Sequence, residues 1–142
     1  MAIIASGAER AGSALTVVAD PMRETGGRWS ASMYVWHLVD VLRIGAERLT
    51  TLRLDPTRGI PCWDENLLAE ARRYRQLSPV VAPIVLDIAA REWLEAAAQA
   101  PDTTVEHPQF GTLRTIDVIR RNAHEVVHHV GDVSMGPATA NA

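Results

Sequence analysis

The sequence predicts an all-α protein: an antiparallel four-helix bundle with a short extra helix between its second and third long helices. Four substantial segments carry helical signals, apolar spacing in some and start and stop residues in others. Pro- and Gly-containing breaks separate them. No segment makes a convincing strand, and helices that each bury one stripe are satisfied by packing on one another. At 142 residues the chain has room for one domain with its own core. That domain is read as residues 1–142, with about 134–142 as a flexible tail.

The first helix, weakly amphipathic, is expected from about Ala8 to Ala19, where Asp20-Pro21 ends it. Gly26-Gly27 marks a turn, and Ser30 suits the N-cap of the second helix. There Tyr34, Leu38, Val41, Leu42, Gly45, Leu49 and Leu52 recur on one stripe until Asp55-Pro56. A loop, DPTRGIPCW (55–63), follows, and Asp64 caps a shorter helix, ENLLAEARRYR. Ser78-Pro79 suits the start of the third long helix, which ends near Ala100-Pro101. Residues 101–114, PDTTVEHPQFGTLR, have no helical period and read as extended or looped. Thr115 caps the last helix, with Asp117 in its first turn, where the helix dipole favours negative charge. Its expected apolar stripe is Ile116, Ile119, Ala123, Val126, Val127 and Val130.

Composition excludes several function classes. A net charge of −3 provides no basic footprint for nucleic acid. No stretch approaches the ~18 uninterrupted apolar residues of a membrane span. The N-terminus has no charged region leading into an apolar one, so no signal peptide is read. Cys62 is the lone cysteine, which rules out an internal disulfide framework and fits a reducing cytoplasm. All fourteen basic residues are Arg. With the abundance of Ala, this points to a GC-rich, actinobacterial genome.

The chemistry concentrates near the C-terminus. Three of the five histidines and two carboxylates fall within the nine residues from His124 to Asp132. His124 and His128 are four apart and share a helix face, the spacing with which one helix offers two imidazoles to an ion. They flank the expected stripe beside Val127, and His37 flanks the stripe of the second helix. Three imidazoles with an open position suit Zn²⁺ or Ni²⁺. Each histidine also has a plainer explanation, as a boundary residue or part of a solvated face. Glu125 and His129 form a rival pair, four apart, expected on the solvated side. His107 reads as structural or exposed, Cys62 as a small buried hydrophobe rather than a nucleophile, and the Arg72-Arg73-Arg75 cluster as a solvated face.

The segments RWSASMYVWHLVDVLRIGAERL (28–49), WDENLLAEARRY (63–74) and IRRNAHEVVHHVGDV (119–133) resemble the DinB/YfiT-like superfamily of metalloenzymes. That superfamily includes mycothiol-dependent maleylpyruvate isomerase, whose metal-binding domain is the part resembled. The resemblance implies a four-helix bundle with a long crossover, here residues 54–78. It also implies a metal triad of one His from the second helix and two ligands four apart on the last: His37, His124 and His128. If His129 instead aligns with the final ligand, Glu125 and His129 complete the triad, and Asp132 takes a neighbouring polar position. Relatives imply thiol-dependent transferase chemistry, here with mycothiol and a small-molecule electrophile. Glu125, Asp132 or Asp40 would orient an imidazole, and Asp40 would be the base if water were activated instead; a metal closed off by a fourth protein ligand, or absent, would mark a non-catalytic stress-response or binding module. Homodimers are expected from the same resemblance. The isomerase carries an additional C-terminal domain, which argues against isomerisation of maleylpyruvate itself.

Overall fold

The computed structural model describes residues 1–135. Its long helices are α1 (Ala2–Val17), α2 (Ala31–Leu54), α4 (Ala82–Gln99) and α5 (Thr115–Met135), with the short α3 (Glu65–Ala71) in the crossover. Ser30 caps α2 by accepting from the Met33 backbone N–H, and Asp64 caps α3 by accepting from Asn66 and Leu67. α1 starts six residues earlier than expected, because Ile4, Gly7 and Ala8 are buried against the bundle although their local signal is weak. α4 starts later than Ser78: the Ser78 hydroxyl accepts from the Val80 backbone N–H in a local turn, and Pro83 occupies the first helical turn. The end of α5 reaches Ser134 and Met135. The rest of the expected flexible tail lies outside the described residues.

One correction concerns residues 101–114. They contain an antiparallel hairpin, β1 (Thr104–His107) and β2 (Gly111–Arg114), in which Thr104 pairs with Arg114 and His107 with Gly111. Gly111 has φ +65, a conformation that glycine adopts without strain. The strands are four residues each, too short for alternation to stand out from sequence.

α2 packs on α4 and α5, and α1 packs on the same two helices. α1 and α2, although consecutive, therefore lie diagonally across the bundle. Residues 55–81 cross over between α2 and α4, which lets these helices run in the same direction. Gly45 meets Trp93, and further along Arg53 reaches Gln99. α5 runs opposite to both, bringing Asn122 to Val41 and Gly45. The core between them holds Leu38, Leu42, Leu49, Leu86, Trp93 and Val126. Inside it the Trp93 indole N–H donates to Asn122 Oδ1 at 3.0 Å, which satisfies two buried polar groups. No helix among the described residues is long and apolar enough to cross a membrane.

Candidate metal centre

The buried stripe of α5 is Val118, Asn122, Val126, Val130 and Val133. Val127, expected in that stripe, is 59 % exposed. This rotation decides which polar residues face α2. His129 keeps 13 % of its side-chain surface, whereas His124 and His128 keep 77 % and 62 %. Asn122, a polar residue in the stripe, is what concealed the register.

The expected grouping of His37 with His124 and His128 is therefore not the one the fold makes. His37, buried on α2, meets Glu125 and His129, and one donor atom from each lies within 4.8 Å of the others. The His37 and His129 rings meet edge to face with centroids 4.8 Å apart, while Trp29 abuts His37 and Tyr34 stacks on His129. His124 and His128 stack on each other outside this group, and His128 lies instead in a group with His129 and Asp132.

Hydrogen bonding orients the donors. His129 Nδ1 lies 2.8 Å from Asp132, which in turn is held by Arg28. With Nδ1 turned to that carboxylate, Nε2 is the nitrogen that faces Glu125, 3.5 Å away. Burial lowers the His129 pKa, but hydrogen bonds to Glu125 and Asp132 outweigh it and the net shift is upward. Its hydrogen bond to His129 holds the Glu125 carboxyl below the usual range, against the effect of burial. His37 goes the other way: burial, then the charge of His129, pushes it down to about 4.

His37 supplies the test of fit for a metal. Among the described residues, both of its ring nitrogens are buried without a hydrogen-bond partner. A neutral imidazole left so in a protein interior costs about 1–3 kcal/mol per unmet group. A cation between His37, Glu125 and His129 would satisfy one nitrogen, and two imidazoles with a carboxylate form a donor set that divalent zinc takes at catalytic sites. The residues fit the group.

Asp40 lies one turn from His37 but serves another purpose. It accepts from the Tyr74 hydroxyl and from Arg72, tying the crossover to α2. Burial raises its pKa against these two donors. Of the arginine cluster, Arg72 is thus paired with Asp40 and Arg75 with Glu24, while Arg73 takes a left-handed backbone conformation. His107, expected to be structural or exposed, is buried at the end of β1, and Cys62 is half-buried. Both line a cleft of about 220 Å³ that also includes His37, Glu125 and Asp40. A wider open groove between α2 and α4, about 820 Å³, has no histidine in its lining.

Comparison with known proteins agrees on the architecture. YfiT from Bacillus subtilis, described as a probable metal-dependent hydrolase with an unusual four-helix bundle topology, superposes with a TM-score of 0.68 at 16% identity, over 92% of this chain and 83% of that one. TT2238, a four-helix bundle protein, gives a TM-score of 0.62 at 26% identity, over 92% and 91%. No curated protein matches the chain. The family model of the DinB superfamily matches residues 20–133, and the chain belongs to that superfamily.

Proposed function

We propose that this chain is a divalent-metal-dependent enzyme, with the ion held by His37, Glu125 and His129, that transfers a low-molecular-weight thiol to an electrophilic small molecule. The observation that carries the reading is His37: a buried, neutral imidazole with both nitrogens unpartnered, facing a carboxylate and a second imidazole. His37, Glu125 and His129 would hold a divalent ion whose charge would lower the pKa of a bound thiol or water toward neutral pH.

The protein's own residues do the rest. Asp132 fixes the tautomer of His129, and Arg28 fixes Asp132. Ile44, Leu68 and Phe110 provide apolar wall in the cleft for the carbon skeleton of a substrate. Asp40, the residue expected to serve as base for hydrolysis, is occupied by Tyr74 and Arg72. This favours a nucleophile that needs no adjacent carboxylate base, as a thiol does. Zn²⁺ and Ni²⁺ suit the donors, and mycothiol is the thiol that the family resemblance suggests.

Hydrolysis is the second reading, favoured by the donor set itself, because two His and a Glu also hold zinc in hydrolases. Thiol dependence of turnover separates the two. The ligand assignment is tested by plasma mass spectrometry of untagged protein. Near-stoichiometric metal is expected in the native chain, in His124→Ala and in His128→Ala, with loss in His37→Ala, Glu125→Ala and His129→Ala. Retention in His129→Ala together with loss in His128→Ala would move the site to the other register. Absence of metal after reconstitution with Zn²⁺ and Ni²⁺ would overturn the enzyme reading.

A further inference from the structure

The cleft that includes His37 and Glu125 extends along α2 and α5 to a second group of polar residues, Arg48, Arg121 and His107. Eleven residues separate His37 from Arg48, three helical turns or roughly 16 Å along α2. Arg121 is one turn from Glu125 on α5, roughly 6 Å along its axis. The two ends of the cleft thus lie within reach of one small molecule.

The second group is positive and uncompensated. Arg48 is half-buried and, among the described residues, its Nε is shielded from solvent without a hydrogen-bond partner, although an Nη donates to the Pro61 carbonyl at 2.6 Å. Arg121 lies over the Phe110 ring, its Cζ 3.6 Å from the ring centroid, which places its guanidinium at the hairpin. Neither guanidinium is ion-paired among the described residues, whereas Arg28, Arg72 and Arg75 each are. His107 Nδ1 accepts from the Gln109 backbone N–H at 3.2 Å, so the neutral ring keeps its proton on Nε2, a further donor. Burial and the charges of Arg48 and Arg121 all lower the His107 pKa.

The carboxylates that line the cleft do not answer this charge. Asp40 is taken by Arg72 and Tyr74, Glu125 by the His37 and His129 group, and Glu65 is exposed at the start of α3. A half-buried guanidinium with an unmet N–H, beside a second cation, is stabilised by an anion that accepts from both.

We propose that Arg48, Arg121 and His107 bind an anionic group, carboxylate or phosphate, of a small molecule whose reacting atom lies at the His37, Glu125 and His129 end. The inference rests on the proposed function for the second half of that statement only. The substrate class is then an acid: either the electrophile or the thiol carries a charged head, with apolar chain between head and reacting atom.

The test uses thiols of one length with different heads: 6-mercaptohexanoate, 6-mercaptohexylphosphonate and neutral 6-mercaptohexanol. Binding is followed by the ¹⁵Nε resonances of Arg48 and Arg121, in zinc-loaded and in metal-stripped protein. The anionic probes are expected to shift both resonances with or without zinc, and to bind zinc-loaded protein about tenfold tighter than the alcohol, ~1.4 kcal/mol. Comparing the two anionic heads assigns carboxylate or phosphate as the preferred group. Arg121→Met, at an exposed position, should erase the preference for anions while zinc content and alcohol affinity stay unchanged, and Arg121→Lys should restore part of it. Equal affinity for all three heads, or arginine resonances that move as much with the alcohol, would overturn the inference. Arginine shifts in a chain that takes up no zinc would uphold the anion site and overturn the proposed function instead.

Discussion

His128 and His129 are adjacent in sequence and differ in burial and in the side chains they pack on. A helix turns about 100° per residue, so one imidazole packs on Tyr34 and His37 while the other faces solvent. His37 shows the cost of such burial before any ion binds. Its folded pKa is about 4 against about 6.5 in an unfolded chain. Between these values the unfolded chain binds the extra proton, so metal-stripped protein should lose stability as pH falls from about 6.5 to about 4, by up to about 3 kcal/mol. His129, shifted upward, works in the opposite sense, as its proton favours the folded state. Urea denaturation from pH 7 to 4.5 checks this, with His37→Leu expected to be markedly less sensitive over that window. An unchanged pH dependence in His37→Leu would show that the imidazole is solvated in solution.

At the scale of elements, the site depends on how closely α2 approaches α4 and α5. Gly45 makes that approach possible. A Cβ built there would lie 2.5 Å from Asn122 Oδ1 and 2.8 Å from Trp93 Nε1, both within the core. Gly45→Ala should therefore destabilise the protein by about 1–3 kcal/mol, despite the better helix propensity of Ala. Thermal denaturation reads the loss directly, and a neutral or stabilising outcome would mean that the helices separate without cost. The hairpin has a comparable positional role. It carries His107 and Phe110 to the cleft that α2 and α5 form, a consequence of where β1 and β2 turn rather than of any motif in their residues.

For the molecule as a whole, the candidate ligands come from helices distant in sequence. His37 belongs to α2 and the other two residues to α5, so a bound ion would tie the start of α2 to the latter half of α5. Such an ion binds the folded chain only and raises its stability by mass action, about 2.7 kcal/mol at a hundredfold excess over Kd. For a domain of this size that corresponds to a Tm increase of roughly 5–10 °C. Differential scanning fluorimetry with zinc and with a chelator would show it. The increase should vanish in Glu125→Ala, an exchange that leaves both imidazoles in place.

The sequence by itself determined the helical class, the long helices and the caps at Ser30 and Asp64, because these rest on local propensity and on short-range hydrogen bonds, while the crossover was an expectation from the family resemblance. It also singled out His37 and the two candidate pairs on α5. The choice between those pairs was not local. Val127 and Val126 are the same residue type, and only packing against α1 and α2 makes one exposed and the other fully buried. That rotation brings Glu125 and His129 to His37 and turns His124 and His128 outward. Tertiary structure also occupied Asp40, through Tyr74 and Arg72 from the crossover, and brought Arg48, Arg121 and His107 to one cleft. Sequence periodicity places residues on a helix face, but which face is inward is settled by the volume and polarity of the neighbours, and those come from distant parts of the chain.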